Sequence, residues 1–104
     1  MKPGSRDKRY RILITGRELV ELKKFTYLMA EAFGLDRRIE NYQGKRPIGF
    51  YRWDLDCLLA VTELALADAK EYPHKSGLDY AAMNQLCDHL KRLSAEAYGE
   101  ITND

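Results

Sequence analysis

Cysteine, histidine, proline and tryptophan are scarce in this chain of 104 residues, which holds two, two, three and one of them. Long apolar runs are missing as well. A membrane-spanning helix takes about 20 consecutive apolar residues. No stretch comes near that, so no membrane partner is expected. The charged start, residues 1–9, leads into an apolar run of Ile12, Leu13 and Ile14 that is too short for a signal peptide. Both features point to a cytoplasmic protein. With no internal repeat and no low-complexity tract, the chain reads as one domain with a modest core.

The scarcity of histidine and cysteine leaves little for a metal. The nearest approaches are Asp54-x-Asp56, Glu71-x-x-His74 and Asp88-His89. Helical di-metal sites use paired Glu-x-x-His motifs; this chain has a single copy, interrupted by Pro73. Asp54 and Asp56 read better as helix-capping residues, and no metal or other cofactor is expected. Nucleophilic chemistry fares no better. Cys57 and Cys87 fall on core-facing helical positions, where burial keeps a thiol protonated and inert. His74 lies in a turn and His89 on a helix flank. In an antiparallel hairpin turning near residue 75, Cys57 lies opposite Ser94 and Cys87 opposite Leu64. They are then roughly 10 Å apart along the axis, given the α-helical rise, and a disulfide needs Cα atoms within about 7 Å. Reduced thiols are expected, as in a reducing compartment. The chain is expected not to be an enzyme.

Charge is abundant and unevenly spread. Residues 1–53 carry 13 Lys and Arg against 6 Asp and Glu, a net +7, while residues 54–104 carry 4 against 10, a net −6. Such asymmetry concerns partners or self-association rather than fold.

Residues 10–14, Tyr-Arg-Ile-Leu-Ile, are β-branched and alternating, so they read as a short strand that needs a partner edge. Ile48 to Tyr51 is the other strand-like run. An extended arm packed on the helices is the rival reading. Thr15-Gly16-Arg17-Glu18 has the form of a capping box, with Ile14 and Leu19 as its hydrophobic staple. Leu22, Phe25, Leu28, Met29, Ala32 and Phe33 then recur at helical spacing, with Arg17, Glu21, Lys24 and Glu31 on the other side. Gly34 stands where a left-handed C-cap belongs, with Leu35 folding back. Asp54 reads as the N-cap of a second helix stapled by Trp53 and Leu58, apolar beyond one face and ended by Pro73. A third begins near Ser76 or Asp79, with Leu78 and Met83 as staple, and buries Met83, Leu86, Cys87, Leu90, Leu93, Ala97 and Tyr98 before Gly99 closes it.

The expected fold is mainly α, a three-helix bundle-like domain with helices at about 16–33, 54–72 and 79–98. A long ordered crossover covers one side, with a small two-stranded β ribbon as one reading. Residues 1–9 would form a flexible basic tail, 10–99 the helical domain and 100–104 a frayed C-terminus.

The crossover, residues 36–53, concentrates recognition chemistry. It holds Arg37, Arg38, Lys45, Arg46 and Arg52 among Tyr42, Phe50, Tyr51 and Trp53. One reading is structural: the aromatics cover the open side of the three-helix core, and the arginines pair with nearby Asp and Glu. Gly44 to Gly49 lacks the order of a phosphate-binding loop, and Pro47 removes an amide such a cradle needs. The five cations are the candidate anion- or partner-binding residues. The leading expectation is a small non-catalytic protein-interaction or homo-oligomeric module, its partner another protein or a second copy. The alternative is a nucleic-acid-binding protein using residues 36–53, since guanidinium groups pair phosphates and aromatic rings stack on unpaired bases.

Overall fold

Apolar residues at helical spacing organise the structure, a computed structural model that describes residues 8–30 and 34–102. Residues 1–7 of the expected tail, Glu31, Ala32 and Phe33 of the expected first helix, and residues 103–104 lie outside the described residues. The order is β1 (Tyr10–Ile12), α1 (Gly16–Lys23), a 3-10 helix (Thr26–Met29), α2 (Leu35–Asn41), β2 (Ile48–Phe50), α3 (Arg52–Ala67) and α4 (Leu78–Thr102). The fold is mainly α, as expected, and the ribbon is present: β1 and β2 pair antiparallel, with Tyr10 opposite Phe50, Arg11 opposite Gly49 and Ile12 opposite Ile48.

α3 and α4 form the central hairpin. Leu55, Leu58, Val61 and Ala65 of α3 meet Met83, Leu86, Leu90 and Ala97 of α4 in one core cluster. The Tyr98 hydroxyl near the end of α4 donates to Asp56 near the start of α3, which fixes the antiparallel sense. Tyr98 is itself exposed, so it leaves the expected stripe. α1 also packs on α4, and α2 packs on the 3-10 helix. Leu35, Ile39, Phe50, Ile12 and Ile14 complete the core from the crossover and ribbon.

Several ends differ from expectation, each for a local reason. α1 stops at Lys23 because the next amides tighten onto nearer carbonyls. The Lys24 amide takes the Glu21 carbonyl (3.2 Å), Phe25 takes that of Leu22 (3.1 Å), and the Thr26 hydroxyl donates to that of Lys23 (3.3 Å). A hydroxyl competing for a backbone carbonyl favours leaving the helix. Phe25 and Met29 stay buried through this tightening, while Leu28 turns outward. At the start of α1 the Thr15 side chain makes no cap bond, and Gly16 takes φ +56°. The Ile14–Leu19 part of the staple survives as buried residues. Gly34 has the expected left-handed conformation (φ +84°), with Leu35 buried behind it.

Asp54 is not the N-cap of α3. The helix begins at Arg52, and the Asp54 carboxylate reaches back to accept from the Tyr51 amide (3.0 Å). That places Trp53 inside the first turn, half-exposed and stacked on Tyr51, so it cannot staple the helix start. α3 ends at Ala67 rather than at Pro73. The Asp68 carboxylate accepts from the Lys70 amide (2.9 Å) in an Asx turn, and its carbonyl takes the amides of Glu71 and Tyr72. An aspartate side chain that satisfies a downstream amide ends a helix without proline. Leu78 is exposed, so it does not staple α4, and Gly99, which reads as a stop, lies inside that helix. Among the described residues no helix is long and apolar enough to cross a membrane.

Candidate cationic site

The crossover folds into a groove beside the ribbon. The last turn of α2 leads into Tyr42, whose hydroxyl donates to the Arg46 carbonyl and accepts from the Ile14 amide at 3.3 Å. One phenol thus pins the 43–47 turn to the chain ahead of α1. Gly44 makes that turn feasible. It has φ +73°, and a Cβ there would stand 3.0 Å from the Ile14 carbonyl oxygen and 3.1 Å from Leu19 Cδ2. Both the left-handed backbone and the close approach demand glycine.

Two adjoining depressions, of about 380 and 360 Å3, share Arg9, Asn41, Tyr42, Ile48 and Gly49. The first adds Lys45 and Arg46, and the second adds Arg37 and Arg38. Among the described residues no carboxylate lines either depression. Four of the candidate cations are therefore gathered around one groove, and Arg52 is not. Arg52 stands at the start of α3, on the side of Tyr98, whose hydroxyl is pushed up by its bond to Asp56 while the Arg52 charge opposes that shift.

The four are not alike. Arg37, Lys45 and Arg46 are exposed, and among the described residues none has a carboxylate within ion-pair distance. Arg38 has structural work. Its Nη2 lies 2.8 Å from Asp54 Oδ2, its Nη1 donates to the Gly49 carbonyl at 3.4 Å, and its guanidinium sits 5.9 Å from the Phe50 ring centre. Asp54 is almost wholly buried, so this pair ties α2, β2 and the start of α3 together.

Arg9 is the fifth cation of the groove and falls in the expected basic tail. Its guanidinium lies 5.9 Å from the Tyr51 ring centre, and a Cβ on Gly49 would stand 2.8 Å from its Nε. Strand alternation puts Arg9 on the ribbon face of Arg11, but it is the pairing of β1 with β2 that brings Arg9 to the groove.

The aromatic residues of the crossover divide as well. Phe50 is wholly buried and Tyr42 packs half-buried against the core, whereas Tyr51 and Trp53 belong to neither the core nor its packed margin. Their rings stack on each other, with centres 4.8 Å apart and planes 19° from parallel.

A second polar cluster lies inside the molecule. Glu21 is buried, not on an outer face as its place in the helical pattern suggests. Its Oε1 accepts from the Tyr72 hydroxyl at 2.8 Å and its Oε2 pairs with Lys24 Nζ at 2.8 Å. Tyr72 packs edge-on to Tyr80 and tilted to Phe25. Burial, then the bond to Glu21, pushes the Tyr72 phenol well above its ordinary value. Tyr72→Phe leaves one buried carboxylate oxygen without its donor. The expected loss is about 1–2 kcal/mol at neutral pH, read from urea unfolding. The pH dependence has a definite sign. With the folded phenol raised, its contribution is complete below the unfolded value of 10.0 and is lost as pH climbs above it. Melting curves at rising alkaline pH should fall less steeply for the Phe variant; equal slopes would remove Tyr72 as the cause.

Reactive groups are muted. Burial first, and Asp54 second, push the half-buried Cys57 thiol up, and Cys87 is buried; both are free. Burial raises the Glu18 carboxyl, opposed by the charge of His89 across on α4. Among the described residues no three His, Cys, Asp or Glu side chains gather as a metal site. No family model, curated protein or solved structure matches the chain.

Proposed function

We propose that this is a non-catalytic interaction module that takes an anionic stretch of a partner macromolecule into the groove beside the ribbon. The observation that supports it is the lining itself: Arg9, Arg37, Lys45 and Arg46 around adjoining depressions with no carboxylate among the described residues of the wall. Like charges gathered this closely repel one another, and an anion relieves that repulsion. The muted thiols of Cys57 and Cys87 favour binding over chemistry. A cytoplasmic location, where free thiols persist, belongs to the same proposal. A second copy of the chain is the other source of anionic groups, because α3 exposes Leu64 next to Glu63, with Asp68 just beyond the helix.

The test uses inorganic polyphosphate as a plain polyanion with the intact chain. Binding is expected at low salt, falling steeply as salt rises. The triple variant Arg37→Ala, Lys45→Ala, Arg46→Ala should bind about tenfold more weakly or worse, with its melting temperature unchanged because all three side chains are exposed. Wild-type affinity in the triple variant would refute the groove. Sedimentation at rising concentration, with a salt-sensitive dimer as the result, would favour the second copy.

A further inference from the structure

We infer that the anionic ligand is single-stranded nucleic acid, with its phosphates in the groove and an unpaired base against the Tyr51–Trp53 pair. This rests on the groove reading above and names its ligand. Tyr51 and Trp53 are large aromatics that stand outside the core cluster that includes Tyr10, Phe25, Phe50 and Tyr72. They lie half-buried and stacked on each other, with centres 4.8 Å apart. A flat, partly open aromatic pair is the platform on which bases stack without regard to sequence.

Arg9 joins the two halves of the site. It lines both depressions, and its guanidinium also lies 5.9 Å from the Tyr51 ring centre. A chain that follows the cations therefore arrives at the rings. An acidic peptide would satisfy Arg37, Lys45 and Arg46 and leave the rings unused. A duplex keeps its bases paired and stacked, so it too would meet only the cations. A single strand uses both, because its phosphates repeat beside bases that are free to turn outward.

The chain's single tryptophan is Trp53, which makes its emission a direct report on the platform. The experiment adds four probes to the intact protein at low salt: a short oligothymidylate, a base-free sugar–phosphate strand of equal length, a duplex, and polyglutamate. Quenching of Trp53 by the oligothymidylate alone, with affinity about tenfold above the base-free strand, is the expected result. By anisotropy with labelled strands, Trp53→Ala should erase that advantage while leaving base-free binding as it was. Tyr51→Ala, on the neighbouring ring, should weaken it in the same direction. Equal affinity for the strands with and without bases would overturn the inference and leave the groove standing. Tighter binding of duplex or polyglutamate would overturn it in favour of that ligand. Failure of all four probes to bind would overturn both readings.

Discussion

Phe50→Ala should lower the unfolding free energy by about 3–5 kcal/mol, the usual range for emptying a buried phenylalanine site. Phe50 has no exposed surface and stands where three parts of the structure meet. Across the ribbon it pairs with Tyr10, the Arg38 guanidinium lies over its ring, and β2 leads through Tyr51 into α3. Neighbours drawn from separate elements cannot close over the cavity without breaking the ribbon register. Domains of this size are stable by about 5–15 kcal/mol, so the variant would stand close to unfolding. Urea denaturation measures it. Trp53→Ala is the informative comparison, because size alone ranks tryptophan above phenylalanine. Trp53 is half-buried and outside the core cluster, so its loss should cost less than that of Phe50, about 1–2 kcal/mol. If the two variants unfolded together, the division of the crossover into core and platform would fail.

Arg38→Met should destabilise by about 2–4 kcal/mol, while Arg37→Met next to it should stay within about 0.5 kcal/mol. Removing Arg38 leaves the buried Asp54 carboxylate with the Tyr51 amide but no cation. An uncompensated buried charge is costly. The Arg38 side chain is 35% exposed, which screens the pair and keeps the expectation below the fully buried range. The double variant Arg38→Met, Asp54→Asn separates the pair from the rest. With no charge left to strand, it should be more stable than the sum of the single losses predicts, by about 1 kcal/mol or more. Simple additivity would show that Arg38 acts through its packing on Phe50 and not through Asp54.

The existence of the helices was legible because burial in a hairpin leaves a periodic trace, and Leu55, Leu58, Met83, Leu86 and Leu90 carry it. Where helices stop was less legible. Asp68 ends α3 by capturing a backbone amide, and Lys24 to Thr26 tighten α1, without the proline or glycine that usually marks such places. Glu21 was misplaced because the group that makes its burial tolerable, Tyr72, lies 51 residues away. The candidate site was visible as composition but not as arrangement. Arg37 and Arg38 are neighbours in the chain, yet one faces water and the other pairs with Asp54. Arg9 could be grouped with them only once residue 10 was paired with residue 50. Arg52 shares their chemistry but sits on the far side of the α3 start, beside Tyr98.

The ribbon that brings Arg9 to the groove is three residue pairs long. Its β1 strand is held by more than the ladder, because Tyr10 and Ile12 reach into the core beside Phe50. Lys45 and Arg46 sit on the turn that Tyr42 pins. A ligand that bridged Arg9 to that turn would bind only the folded ribbon, so recognition at the surface would stabilise the core below it by mass action.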